Sequence, residues 1–280
     1  MAAAAHPVDG GSAGPGKLPR PRSFHDVKGW FYDTDILLFD WLLDRQLRVD
    51  QRGDLLEMGA YLGKSAIMMR SYLRDDETFT VCDLFGSDAP DRSNSRETRR
   101  SYATLTRRAF EANYLSFHDA LPRVIQAPTS VIPDEVGDDT CRFVHVDASH
   151  LYEHVWPDVG NARNALREDG IVVFDDYRTT HTPGVSCATW QAVLEGGLKP
   201  ICVSKQKFYG TWGDPGPVRE ELHAALKAQG GWWLQRHEVA GHRLLLAVNR
   251  TAGPPALPVS RHASARVIRG AVPSASVGAA

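Results

Sequence analysis

Residues 142–176, RFVHVDASHLYEHVWPDVGNARNALREDGIVVFDD, hold two short apolar runs separated by a helix-patterned interval. Arg142–Asp147 and Gly170–Asp175 are each mostly apolar and each close on an aspartate, the pattern of buried parallel strands. Between them Tyr152, Val155, Val159, Ala162 and Leu166 recur at spacings of three and four, the stripe of an amphipathic helix. Pro157 either kinks the first turns of that helix or marks its start.

The same alternation continues outward. Asp54–Met58 and Phe79–Asp83 read as further strands, and Lys64–Leu73 as the helix between them. Ile36, Phe39, Leu43 and Leu47 predict a helix before the first strand. Glu97–Asn113 predicts another, with Tyr102, Leu105 and Ala109 on one side. Pro200–Ser204 and Arg243–Val248 complete the sheet, with Pro217–Ala228 as a helix that starts on a proline. Strand then helix, repeated, specifies a doubly wound α/β sheet. Both ends turn to Ala, Gly, Pro and Ser, so residues 1–22 and 251–280 read as disordered tails around one domain over 23–250.

With 32 basic against 34 acidic side chains in 280 residues, the net charge of −2 argues against a nucleic-acid partner. Cys82, Cys141, Cys187 and Cys202 have neither metal-finger spacing nor the density of a disulfide scaffold, which points to a reducing cytoplasm. No apolar stretch nears the roughly 20 residues that cross a bilayer, and the Ala-rich start lacks a basic segment followed by an apolar one. The expectation is a protein neither secreted nor membrane-embedded.

Ligands of such sheets bind beyond the carboxyl ends of the strands. Those ends carry Glu57–Gly59, Asp83, Asp147 and the pair Asp175–Asp176, a density of acid that calls for cations or hydrogen-bond donors. The turn after the first strand reads Gly59-x-x-x-Gly63, which is not the spacing of a dinucleotide cradle, although its glycines allow close approach and the helix start offers free amides. Asp83 suits a carboxylate that accepts both hydroxyls of a ribose, the alternative being a simple turn cap. Glu57 is best explained by a cationic group on the ligand. Asp147, Asp175 and Asp176 end strands that would lie about 4.8 Å apart, so they can converge on one point. Oxygen-only ligands suit Mg²⁺ or another hard divalent cation; the alternative is a solvated turn and a helix cap. His150, on the same loop as Asp147, has the titration range of a general base.

Taken together, Glu57-Met-Gly59, Gly63-Lys-Ser65, Val81-Cys-Asp83-Leu-Phe, Phe143-Val-His-Val-Asp147-Ala-Ser-His150-Leu-Tyr-Glu153 and Asp169-Gly170-Ile-Val-Val-Phe-Asp175-Asp176-Tyr177 resemble the class I S-adenosylmethionine-dependent methyltransferases. More narrowly, they are similar to the metal-dependent branch of macrolide-sugar and aminocoumarin-sugar O-methyltransferases and to cephalosporin-hydroxylase-like proteins, over roughly residues 50–205. The resemblance implies a Rossmann-like sheet, mostly parallel, with an antiparallel strand near the C-terminus. It implies that S-adenosylmethionine is the cofactor, its methionine bracketed by Gly59 and Gly63 with Glu57 and Ser65 near the amino acid end, Asp83 on the ribose and Asp147 also within reach. Gln126–Ser130 departs from the family's turn at the adenine. The metal acids would be Asp147, Asp175 and Asp176, and the base His150, with Asp147 the alternative. A bound cation would lower the pKa of a coordinated sugar hydroxyl, so the implied partner is a small-molecule hydroxyl acceptor that contains a saccharide. A catechol-type phenol, a hydroxylase-like reaction and a non-catalytic binding protein are the alternatives. The oligomeric state stays open, a homo-oligomer included.

Among other residues, His145, His154, His237 and His242 receive no role. His181 is either a substrate contact or an exposed loop residue. Trp30, Phe31 and Tyr32 either stack on a sugar or staple the first helix, and Trp232–Trp233 reads as core or interface.

Overall fold

Leu56 and Met58 face one apolar layer and Leu55 the other, and the same alternation separates Val144 and Val146 from Phe143, and Val172 and Phe174 from Ile171 and Val173. These period-two patterns make strands buried on both faces. The computed structural model describes residues 18–87 and 105–264. Its strands are β1 (Asp54–Met58), β2 (Phe79–Asp83), β3 (Arg123–Gln126), β4 (Cys141–Val146), β5 (Leu166–Phe174), β6 (Lys199–Val203), β7 (Phe208–Thr211), β8 (Trp232–Val239) and β9 (His242–Asn249). They form one sheet in the order β3-β2-β1-β4-β5-β7-β6-β9-β8. The first five strands in that order run parallel, while β7 is antiparallel to β5 and β6, and β8 to β9. This is the doubly wound, mostly parallel sheet expected from the sequence.

The helices are α1 (Asp33–Arg48), α2 (Lys64–Arg70), α3 (Arg107–Tyr114), α4 (Ile132–Glu135), α5 (Tyr152–Ala165), α6 (Pro183–Leu194) and α7 (Pro215–Gln229). Phe39 and Leu42 of α1, Ile67 of α2, Phe110 of α3 and Leu222 of α7 pack with Leu55 and Phe143. Val155 and Val159 of α5 and Val185 and Ala188 of α6 pack with Met58 and Val144 on the other face. The chain leaves β1 toward β2 and β3 and then crosses to β4 on the far side of β1. Strand order therefore reverses between β1 and β4, where such sheets open a ligand crevice.

Several boundaries differ from the sequence reading. Leu166 begins β5, opposite Cys141, instead of finishing the helix stripe, and the register shifts between Cys141 and Phe143. Of the helix expected over Glu97–Asn113, residues 97–104, Tyr102 among them, lie outside the described residues; α3 starts at Arg107, capped by Thr106, whose backbone is extended and whose side chain accepts from the Ala109 amide. α2 stops at Arg70 because the amides of Ser71, Tyr72 and Leu73 bond back three residues and tighten the last turn. Pro157 sits inside α5, which starts at Tyr152. β3, β7, β8, α4 and α6 have no counterpart in the sequence reading. β3 and β8 have only partly buried and exposed positions, none buried, and Trp232 and Trp233 belong to β8.

Two features brace the ends of the fold. At the amino ends of β1 and β4, the buried Arg142 guanidinium donates to both oxygens of Glu77, at 3.0 and 2.9 Å, and to Gln46 Oε1 at 2.8 Å. Residues 251–264, tail-like in composition, run back across the domain, where Ser260 Oγ donates to the Pro21 carbonyl at 2.6 Å and the Arg261 amide to Ser116. Among the described residues no helix is long and apolar enough to cross a membrane.

Candidate active site

The ladder continues past the strand ends and aligns the acidic residues. The Gly59 amide donates to the Cys82 carbonyl at 2.7 Å, that of Asp147 to Met58 at 2.7 Å, and that of Asp175 to Val146 at 3.0 Å. Gly59, Asp83, Asp147 and Asp175 thus stand side by side above β1, β2, β4 and β5, bordering a cavity of about 660 Å³. That volume suits a cofactor-sized ligand. A side chamber of about 30 Å³ adjoins it, lined by Ser65, His145 and Lys207 and sharing Trp30, Tyr61, Asp147 and Asp175 with the main cavity.

Gly59 takes φ +83, and a Cβ there would stand 2.1 Å from the Asp147 carbonyl, so only glycine lets β1 pass this close to the β4 loop. Gly63 also takes a left-handed φ, +88, and a Cβ there would lie 2.9 Å from the Phe110 ring. Gly63 borders neither the cavity nor the side chamber. Asp83 borders the cavity while its Oδ2 accepts from the amides of Ala60 and Tyr61 at 2.7 and 2.9 Å, and its Oδ1 from Phe85 at 2.6 Å. It therefore clamps the turn after β1 as well as facing the ligand space. Burial nonetheless holds its carboxyl above the ordinary range. Ala127–Ser130 forms the wall beside Cys82, with Asp158 beneath it, its carboxyl pushed up by burial to about 6.

Glu57 does not reach the cavity. β1 and β4 pair with Glu57 opposite His145, on the same face of the sheet, and both side chains are fully buried. His145 Nδ1 lies 2.8 Å from Glu57 Oε1, and its Nε2 lies 3.3 Å from Lys207 Nζ. An ammonium only donates, so Nε2 accepts and the ring proton sits on Nδ1, directed at Glu57. Burial, then the Lys207 charge, push His145 down to about 3, so the ring is neutral. Burial raises Glu57 to about 8.

Lys207 is the residue that sequence reasoning missed. Its Nζ makes an ion pair with Asp175 Oδ2, and both side chains are buried. Burial opposes the ammonium, but Asp175, Asp147 and Asp35 outweigh it and hold its pKa above the ordinary value. One signal was present: Lys207 directly precedes Phe208-Tyr209, a charged residue against an apolar pair.

The three acids expected to converge are divided between two groups. Asp147 joins His145 and Asp175 in one and His150 and Asp176 in the other, with the ligand atoms of each group within 4.8 Å of one another. Asp175 Oδ1 accepts the Asp176 amide at 2.7 Å, and Asp176 takes φ +53, a left-handed conformation at the turn between the two acids. Asp176 Oδ2 lies 2.8 Å from His150 Nε2. Burial raises the Asp176 carboxyl, and the His150 hydrogen bond and charge outweigh it, leaving the group below its ordinary pKa. Burial and then the Asp175 charge lift Asp147 well above the ordinary range. His181 borders the cavity, its ring edge-on to His150 at 5.8 Å. Trp30, 56% exposed, packs against Tyr61 at 5.2 Å and stands with Tyr32 at the cavity mouth, whereas Phe31 is core.

Residues 56–177 match the family profile described as a methyltransferase domain. Demethyldecarbamoylnovobiocin O-methyltransferase of Streptomyces niveus is 29% identical over 140 residues, covering 45% of this chain and 53% of its own length. The chain thus spans about half the length of the curated relative it matches. The solved structure of the O-methyltransferase NovP superposes with a TM-score of 0.53 at 21% identity, over 65% of this chain and 80% of that one, which bears on the fold. Residues 56–177 are thus similar to a methyltransferase domain, and the strand order, the glycine turn after β1 and the acidic strand ends agree with that likeness.

Proposed function

We propose that this chain is an S-adenosylmethionine-dependent O-methyltransferase acting on a hydroxyl of a sugar or glycosylated small molecule. The observation that carries the reading is the meeting of Asp147, His150 and Asp176 at the wall of a cavity that Gly59 and Asp83 also border. Gly59, Ser65 and Asp83 would seat the cofactor, with Asp147 at its methionine end. Glu57 would act through its neighbours His145 and Ser65, because its carboxyl does not border the cavity. Relatedness to an enzyme named for demethyldecarbamoylnovobiocin supports O-methyl transfer to a small molecule.

The donor set fits a hard divalent cation such as Mg²⁺, which keeps several waters and needs one or two carboxylates. Asp147 and Asp176 would hold it, and when bound it supplies the charge that makes a sugar hydroxyl easier to deprotonate. His150, oriented by Asp176, takes the hydroxyl proton. S-adenosylmethionine, when bound, would supply a sulfonium methyl group to that oxygen, with the carbon–sulfur electron pair leaving on sulfur. Trp30 and Tyr32 offer aromatic faces at the mouth on which a sugar ring can stack.

The test is a mass-spectrometric screen of glycosides and catechols with labelled methyl donor, with Mg²⁺ and with chelator. Label transferred to a glycoside and lost with chelator supports the reading. Transfer to catechols alone replaces the acceptor class, and activity unchanged by chelator removes the cation.

A further inference from the structure

The antiparallel pairing of β5 with β7 sets Phe174 opposite Phe208, so the residue after the one faces the residue before the other: Asp175 meets Lys207. The turn that delivers Lys207 is itself fixed. The Ser204 amide donates to the Lys207 carbonyl at 2.9 Å, and Ser204 Oγ accepts the Lys207 amide at 2.8 Å. The ammonium is sealed from solvent, lies 5.6 Å from the centre of the Phe31 ring, and reaches His145 Nε2 as well as Asp175. Both Asp175 oxygens are engaged, Oδ2 with Lys207 and Oδ1 with the Asp176 amide. A divalent ion placed on Asp175 would also sit beside a buried positive charge, which like-charge repulsion opposes.

We propose that Lys207 is the resident cation of Asp175, so that a divalent cation in this crevice is held by Asp147 and Asp176 and not by Asp175. Resting on the function proposed above, this makes Lys207 a positioning residue. It withdraws one of three adjacent acids from the ion and, through His145, ties the β5 end of the site to Glu57 on β1. The ion is thereby kept on the His150 side of the crevice, against the base, and away from the side chamber under Trp30 and Tyr61. A site with two carboxylates leaves more positions for water and for two acceptor hydroxyls than a site with three.

The test is calorimetric titration of the full chain with MnCl₂, without methyl donor or acceptor, beside a titration with S-adenosylhomocysteine. The wild-type protein takes up one Mn²⁺, and Asp176→Asn weakens that binding at least tenfold. Lys207→Met alone tightens it at least fivefold, because Asp175 is released. The paired Asp175→Asn, Lys207→Met protein removes both charges together and protects the result against misfolding of either single variant. It binds Mn²⁺ within threefold of wild type. The proposal is overturned if the paired variant loses Mn²⁺ as Asp176→Asn does, if folded Lys207→Met binds as wild type does, or if wild type takes up no Mn²⁺ at millimolar concentration. S-adenosylhomocysteine binding retained in those cases leaves the methyltransferase reading standing, and its absence from the wild type sinks that reading separately.

Discussion

His150 Nε2 lies 2.8 Å from Asp176 Oδ2, so the loop after β4 and the turn after β5 present a histidine and a carboxylate as one unit. Such a pair orients the ring and stabilises the imidazolium that forms when a proton is taken up. His150→Ala is expected to slow single-turnover methyl transfer by about 10²–10⁴-fold. S-adenosylhomocysteine affinity, read by calorimetry, should stay near wild type. Normal turnover in that variant would return the proton to Asp147.

Gly59 combines a left-handed φ with a near-contact to the Asp147 carbonyl. Gly59→Ala should therefore lower stability by about 2 kcal/mol or more and weaken S-adenosylhomocysteine binding, because the strain falls on the cavity wall itself. Thermal melts and calorimetry on the same preparation check both. A variant that melts and binds like wild type would contradict the close approach of β1 and the β4 loop.

Glu77 gives a stability prediction with a defined pH window. Burial would raise its carboxyl, but hydrogen bonds from Arg142 and the Arg74 amide outweigh this and pull it from 4.5 down to about 2. A depressed carboxyl contributes its stability above the unfolded pKa and loses it as pH falls through the folded one. That difference corresponds to about 3 kcal/mol at neutral pH. Glu77→Gln should accordingly unfold at lower urea at pH 7, with the gap to wild type closing between about pH 4.5 and pH 2. A gap constant with pH would show that the pair with Arg142 is not its source.

Trp30 stands at the cavity mouth, its ring tilted by 34° against that of Tyr61, and is more than half exposed. Trp30→Ala should raise the acceptor KM by about tenfold, with a smaller change in kcat, as loss of a stacking face costs about 1–1.5 kcal/mol. If S-adenosylhomocysteine affinity falls further than the acceptor KM rises, Trp30 serves the side chamber and not the acceptor.

Much of the frame was legible because buried strands announce themselves. Asp54–Met58 and Phe79–Asp83 fall within their predicted bounds, and the crevice acids lie at the strand ends where the alternation placed them. Edge elements were not legible. Arg123–Gln126 and Trp232–Val239 lie at the two margins of the sheet, and neither has a continuous apolar face to mark it. The Glu57–His145 contact escaped notice because it depends on cross-strand register between segments far apart in the chain, although each residue sits as a polar interruption in an apolar run.

The sequence by itself determined the doubly wound sheet, the glycine turn after β1 and the acids at the strand ends, since local periodicity and residue type suffice for these. Only the tertiary structure decided which acids act together. The register of β7 on β5 delivers Lys207 to Asp175, and the left-handed turn at Asp176 goes with its pairing to His150. Charge partners at such separations are chosen by strand pairing and burial, neither of which is a property of any short stretch of chain.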